Sequence, residues 1–175
     1  MTEITKDEIT ELVLQEFAEH DIVDVVFKWN GNKSRHGVVR SNWVSGVLVP
    51  KELELSEVMF DALIDKHEMV DTVYHELAHV IAIKRYGRRG SGHGKLWKKV
   101  ARELGCSAAR CSDAEIDNDV VGYKYTAFCV CERYKERGFS RLGKNWQNNY
   151  YGNTQGRTHY VCRKCGKPLL VRVNY

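Results

Sequence analysis

The stretch Val73-Tyr-His-Glu-Leu-Ala-His-Val-Ile81 decides how this chain is read. Leu77, Ala78, Val80 and Ile81 are core residues by type. His75, Glu76 and His79 are not, and burying them without partners is costly. Met69, Val70, Val73, Tyr74, Leu77, Val80 and Ile81 recur at steps of three and four, which predicts a helix over about 66–86 with Gly87 as its stop. Asp65-Lys-His-Glu68, at its start, has capping-box spacing. On that helix His75 and His79 lie one turn apart on one face and can aim ring nitrogens at a single point. A zinc ion accepts imidazole nitrogens at about 2.0–2.1 Å. Glu76 sits too far round to ligate beside them, yet close enough to reach a water on the metal. Zinc draws the pKa of such a water towards about 7, and a neighbouring carboxylate can then take its proton. That is the chemistry of H-E-x-x-H. The plainer alternative is two histidines edging a core helix. The helix is predicted from periodicity alone, without the motif, which weighs against that alternative.

A catalytic zinc site needs a third protein ligand and one open position. The metzincin continuation requires Gly at 82 and His at 85, where this chain has Ala82 and Arg85, so that class fails. Two candidates remain. Glu103 would come from the following helix. His93, in Gly90-Ser-Gly-His-Gly-Lys-Leu-Trp97, is the better one, because glycines at 90, 92 and 94 let the backbone turn back over the first helix. Its plainer role is a residue capping the next helix from a loop.

The chain has 175 residues, enough for one sizeable core and a small appended module. Hydrophobic residues make up 43% and charged ones 29%, with no apolar run long enough for a membrane span. The polar start, MTEITKDEIT, predicts no secretory leader and an intracellular, cytoplasmic protein. In that compartment close cysteine pairs bind metal more often than they form disulfides. Cys129-Val-Cys131 and Cys162-Arg-Lys-Cys165 suit a closed four-thiolate zinc site, although C-x-C is tighter than the usual C-x-x-C. Three His plus four Cys imply two zinc ions per chain, one catalytic and one structural. Cys106 and Cys111 read as plain thiols, and His20, His36 and His67 as surface histidines. His159 stands near Cys162, but four cysteines already fill the site.

Elsewhere, Thr5-Lys-Asp-Glu8 predicts a capped helix over about 6–19. Segments 22–29, 38–43 and 44–55 read as short antiparallel strands, with 44–49 as a possible edge for an extended substrate backbone. Ser56 starts a short helix reaching Leu63. Leu96, Trp97, Val100, Ala101 and Leu104 form the apolar stripe of a helix after Gly94. The expected class is α+β: helices with a small antiparallel sheet over 1–111, a linker at 112–122, and a small β zinc ribbon over 123–175.

Charge is unevenly spread. Residues 1–83 carry seven basic and sixteen acidic side chains, while residues 84–102 carry eight basic and none acidic. Residues 120–175 carry eleven basic against two acidic. Two basic stretches suit a polyanion. Candidate nucleic-acid contacts are Arg88, Arg89 and Lys95 in the first, and Arg133, Lys135, Arg137, Arg141, Lys144 and Trp146 in the second, where aromatics lie among the cations. A solvated basic face, with the aromatics forming the ribbon's own core, is the plainer reading.

His75-Glu-Leu-Ala-His79, a basic loop, then Gly92-His-Gly-Lys-Leu-Trp-Lys-Lys-Val-Ala-Arg-Glu-Leu-Gly105 together resemble the SprT-like zinc metalloproteases. His75, Glu76, His79, His93 and Trp97 match that family's pattern, and the upstream strands are also similar. Some members carry a C-terminal ribbon of C-x-C…C-x-x-C form. The resemblance implies a compact zincin-like endopeptidase domain acting on proteins associated with DNA, with DNA as a partner. Two rivals stand beside it: a peptidase with no nucleic-acid role, and a nucleic-acid-binding ribbon protein whose HExxH site is inert or structural. An intact Glu76 weighs against the second, since a structural site has no need of it.

Overall fold

The structure, a computed structural model, describes residues 3–109, 114–134, 136–152, 155 and 159–175. The chain divides into two compact units, Met1–Asp117 and Asn118–Tyr175. No helix among the described residues is long and apolar enough to cross a membrane.

The first unit begins with α1 (Lys6–Glu19), capped by the reciprocal Thr5–Glu8 box that its sequence predicts. Its buried stripe, Ile9, Val13 and Phe17, contributes about 1.5–3 kcal/mol per side chain on burial. Three strands follow: β1 (Val26–Asn30), β2 (Gly37–Val44) and β3 (Val47–Ser56). They are ordered β1-β3-β2, so β3 lies between the other two. β2 and β3 form a hairpin whose turn residues Ser45 and Gly46 both have positive φ, 48° and 78°. That backbone suits the right-handed twist of the flanking strands. β1 pairs with β3 in parallel, so the sheet is mixed rather than wholly antiparallel. The segment 22–25 stays outside the sheet.

Helix α2 (Glu57–Ala62) starts where the Ser56 hydroxyl accepts the Met59 N–H at 3.0 Å. Helix α3 (Glu68–Tyr86) packs against β2 and β3. The capping box expected at Asp65 does not form. The Asp65 carboxylate accepts the His67 N–H at 2.9 Å instead, and α3 begins after that turn. Gly87, at φ 55°, ends α3. A 3-10 turn (Gly87–Gly90) and a short loop lead into α4 (Lys95–Glu103). Leu53, Leu55, Met69, Val73, Leu77, Val80, Trp97 and Val100 form the core between the helices and the sheet.

The second unit holds α5 (Asn118–Val121), β4 (Tyr125–Phe128), β5 (Arg137–Phe139), α6 (Lys144–Tyr150) and β6 (Leu170–Val173). Its sheet is antiparallel, ordered β5-β4-β6. Helix α6 interrupts what the sequence suggests is an all-β ribbon. It carries Trp146 into a small core with Ala127, Cys129, Cys162 and Leu169. Asn149 on the same helix satisfies backbone groups of Tyr160 and Leu169, which ties the second cysteine pair to the helix. Gly138 lets the Tyr123 ring lie against β5, for a Cβ there would fall inside the ring.

Candidate functional site

Helix periodicity places His75 and His79 on one face of α3. The loop after the 3-10 turn brings His93 back to them. His75 Nε2 and His93 Nε2 are 3.0 Å apart, and His79 Nε2 and His93 Nε2 are 3.1 Å apart. Ligands about 2.0–2.1 Å from a tetrahedral centre lie roughly 3.4 Å from one another, so the three nitrogens fit a shared metal ion. Desolvation pushes the His75 and His79 imidazoles down, His79 to about 3, and neighbouring imidazoles add to the effect, His93 on His75 and both His75 and His93 on His79. Neutral imidazoles are the ligating form. Glu103, the alternative third ligand, is not in this group. It pairs with Arg85 at 2.5 Å.

Trp97 on α4 is fully buried and forms the floor of the histidine cluster. Its ring centroid lies 4.7 Å from His75, 5.1 Å from His79 and 4.6 Å from His93. Its Nε1 has no hydrogen-bond partner among the described residues, an omission that costs about 1–3 kcal/mol. Gly90 sets the return of the loop. A Cβ there would lie 2.1 Å from the Ala82 carbonyl oxygen, so the 3-10 turn can lie against α3 only with glycine at this position.

Glu76 points away from the core stripe towards β2 and is 7% exposed. Burial pushes its carboxyl up to about 8, against the opposing influence of the Arg35 charge and the Val39 backbone N–H. Gly37 is what lets β2 come so close, since a Cβ at 37 would lie 2.6 Å from Glu76 Cγ. Two depressions of about 320 Å³ each flank this point. One runs past His36, Asp71 and Ser107, the other past Val38, Val39 and His93. Arg35, Gly37, His75 and Glu76 line both. The sheet segment facing the cleft is therefore Gly37–Val39 of β2, an edge strand, rather than 44–49. Residues 47–49 belong to β3 and turn back along β2.

Sequence reasoning passed over Arg35, His36, Gly37 and the packing role of Gly90. His36, expected as an ordinary surface histidine, is half-buried. Its Nε2 has no partner among the described residues, and burial lowers its pKa. The signal available in advance was only that Arg35 and His36 end the turn before β2. Asp71, one turn before His75, accepts the Ser107 N–H at 3.0 Å and so anchors the segment after α4 beside the cleft.

The second unit gathers four sulfurs. Cys129 Sγ lies 3.4 Å from Cys165 Sγ, and Cys131 Sγ 3.6 Å from Cys162 Sγ. Both distances exceed a disulfide bond and approach the roughly 3.8 Å edge of a zinc–thiolate tetrahedron. Burial opposes ionisation of Cys162, but the backbone N–H groups of Lys164 and Cys165, together with the Cys131 and Cys129 thiols, outweigh it and lower its pKa. Cys106, in the first unit, has its Sγ 3.4 Å from the Ala101 carbonyl oxygen. Cys111 lies outside the described residues.

Arg88, Arg89 and Lys95 are exposed, as are Arg133, Arg137, Arg141 and Lys144. Lys135 lies outside the described residues. Part of the first basic stretch is already engaged, Lys84 by Asp24 and Arg85 by Glu103. Trp146 departs from the surface reading. It is 8% exposed, with its ring 4.6 Å from Phe139 and 4.4 Å from Tyr160, and it belongs to the ribbon core. Tyr150, Tyr151 and Tyr160, by contrast, are exposed.

Together the two clusters give two possible metal sites, a His triad and a four-cysteine group, both fitting zinc. Residues 6–118 match the SprT-like family, and the chain belongs to it. It is 29% identical over 121 residues to Protein SprT of Pectobacterium carotovorum subsp. carotovorum (strain PC1), covering 67% of this chain and 63% of that protein. Protein SprT of Enterobacter sp. (strain 638) is 30% identical over 123 residues, covering 68% and 66%. Protein SprT of Pseudomonas aeruginosa (strain UCBPP-PA14) is 29% identical over 106 residues, covering 60% and 59%. The match thus spans less than two thirds of the length of these relatives. No solved structure matches the chain.

Proposed function

We propose that the chain is a zinc-dependent endopeptidase that acts on proteins associated with nucleic acid. The observation that carries the peptidase reading is the convergence of His75, His79 and His93 within one cleft whose wall holds the buried Glu76. The residues fit zinc in number, element and spacing. When bound, zinc supplies Lewis acidity towards a carbonyl oxygen and makes water a nucleophile near neutral pH. Everything else falls to the chain. Glu76 accepts the proton of the attacking water and hands it to the departing amine nitrogen. Its burial keeps the carboxyl basic enough for the first task and acidic enough for the second. Trp97 keeps the imidazoles in one orientation. The outer edge of β2, the side away from β3, is where an extended substrate can join as an added strand.

The nucleic-acid component is supported by exposed Arg88, Arg89 and Lys95 in one unit, and by Arg133, Arg137, Arg141 and Lys144 with exposed tyrosines in the other. The four-cysteine group would hold a second, structural zinc. The second unit has only a small core, so that metal supplies a large share of its folding free energy.

The test incubates zinc-loaded protein with a DNA-binding protein, with and without DNA, beside Glu76→Gln. Cleavage by wild type alone, enhanced by DNA, is expected. Cleavage that survives Glu76→Gln would remove the peptidase reading. Cleavage indifferent to DNA would leave a peptidase without the nucleic-acid role.

A further inference from the structure

We propose that Arg35 is a catalytic residue, the cation that stabilises negative charge developing on the scissile carbonyl oxygen. The inference rests on the peptidase reading above and adds a residue to it. The two depressions that flank the histidine cluster share four lining residues: Arg35, Gly37, His75 and Glu76. A peptide lying through both depressions passes Arg35, His75 and Glu76 together at that junction. Gly37 carries no side chain to intervene.

Among the described residues lining the two depressions, Arg35 is the one Lys or Arg. The other ionisable groups there are otherwise occupied. The imidazoles of His75, His79 and His93 converge on one another, Glu76 handles protons, and Asp71 holds the Ser107 N–H. Burial lowers the pKa of His36, which disfavours its cationic form. The Arg35 guanidinium is exposed, and no hydrogen bond or ion pair among the described residues engages it, although its charge is felt at Glu76. A cation without a carboxylate partner, beside a buried carboxyl, gains little for the fold. It gains from a new anion formed beside it.

The backbone around Arg35 is held in place. Asn30 Oδ1 accepts the Asn32 N–H at 2.9 Å, and Asn32 Oδ1 accepts the Ser34 N–H at 2.7 Å. Ser56, at the α2 start, donates its hydroxyl to the Asn32 carbonyl and its N–H to the His36 carbonyl at 2.8 Å. Both neighbours of Arg35 in the chain are thereby tied to the scaffold. Groups that stabilise a transition state act through such preorganisation.

The experiment uses the zinc-loaded full chain, a neutral fluorogenic peptide it cleaves, and a phosphinic peptide that mimics the tetrahedral state. Arg35→Ala should lower kcat about a hundredfold, as loss of one oxyanion donor does, with KM within about twofold. Affinity for the phosphinic peptide, read by calorimetry, should fall by the same factor as kcat/KM. Binding of the uncleaved substrate peptide should be equal in Glu76→Gln and in Arg35→Ala/Glu76→Gln. Arg35→Lys should recover part of the loss, keeping charge without the planar fork. The melting temperature should not move, because the side chain is exposed. Unchanged kcat and phosphinic affinity in Arg35→Ala would overturn the proposal. So would a loss confined to KM for peptides with acidic side chains, since Arg35 would then dock a substrate carboxylate. Wild-type protein that cleaves no peptide defeats the peptidase reading itself, and phosphinic affinity equal in wild type and Arg35→Ala then overturns the Arg35 role independently.

Discussion

Gly37 and Glu76 occupy one another's space: a Cβ on residue 37 would stand 2.6 Å from Glu76 Cγ and 3.1 Å from its Oε1. The strand edge and the carboxyl are therefore set by a single absent methyl group. Gly37→Ala should push Glu76 off its position while leaving the three histidines alone. A displacement of about 1 Å at a reacting group can cost a hundredfold in rate. The expected result is near-normal zinc content with kcat reduced by about that factor, checked by metal analysis and peptide cleavage on the same preparation.

Gly90 makes the same argument for the metal. A Cβ there would meet the backbone of Ala82, which cannot swing aside as a side chain can. Gly90→Ala should lift the 3-10 turn from α3 and loosen His93. Zinc affinity at the histidine site should fall about 10- to 100-fold, comparable to losing a residue that orients a ligand. Competition with a chromophoric chelator measures it. Retained affinity would mean that His93 finds its place without the close packing.

Much of the first unit is legible from local pattern. The i, i+4 spacing that puts His75 and His79 on one face is a property of the helix, and the periodicity of α3 is strong enough to predict the helix. The Thr5–Glu8 box is equally local. What is not legible depends on residues brought together from distant parts of the chain. The Asp65 box fails because its carboxylate finds the His67 N–H first. β1 joins β3 in parallel, a pairing that strand pattern does not encode. Arg35 and Gly37 look like ordinary turn residues until α3 is packed under them. Trp146 reads equally well as a stacking platform or a core residue, and only α6, absent from the sequence expectation, decides for the core.

The two metal groups should separate cleanly. Zinc-loaded wild type should contain about two zinc ions per chain, and His93→Ala and Cys162→Ala about one each. Glu76→Gln should keep both. Only Cys162→Ala should lose the structure of the second unit, because its small core depends on the metal. Amide exchange reports this directly: protection should vanish in β4 and β6 but persist in α3. Loss of protection in α3 as well would mean that the units do not fold separately.

Acid sensitivity of the sheet should run through Glu54. Arg40 first and Asn30 next hold its carboxyl below the ordinary 4.5, against the opposing effect of burial. A folded-state value below the unfolded one gives stability that is complete above about 4.5 and is lost as pH falls through the lower folded value. Glu54→Gln should therefore cost about 1–2 kcal/mol at pH 7, the scale of a hydrogen bond to a charged group, discounted because Arg40 is exposed. The difference from wild type should shrink towards zero in acid. Paired denaturant titrations at several pH values check the sign, and a difference that grows in acid would refute it.

The basic stretch after α3 allows a quantitative test of nucleic-acid binding. Lys84 and Arg85 are engaged by Asp24 and Glu103, which leaves Arg88 and Arg89 as exposed charges on the 3-10 turn, only a few residues before His93. A protein that neutralises Z phosphates on a single strand shows a log–log salt slope of about −0.7Z. Replacing Arg88 and Arg89 together with Ala should flatten the slope for single-stranded DNA by about one to two units. DNA-dependent cleavage of a DNA-bound protein should fall with it. Cleavage of a short free peptide should change less, because neither side chain belongs to the histidine cluster. Ion-pair loss elsewhere would instead lower both activities together and shift the melting temperature. If the double variant keeps the wild-type salt slope and cleaves DNA-bound protein at the wild-type rate, the charge of this turn is a solvated surface and the nucleic acid binds elsewhere.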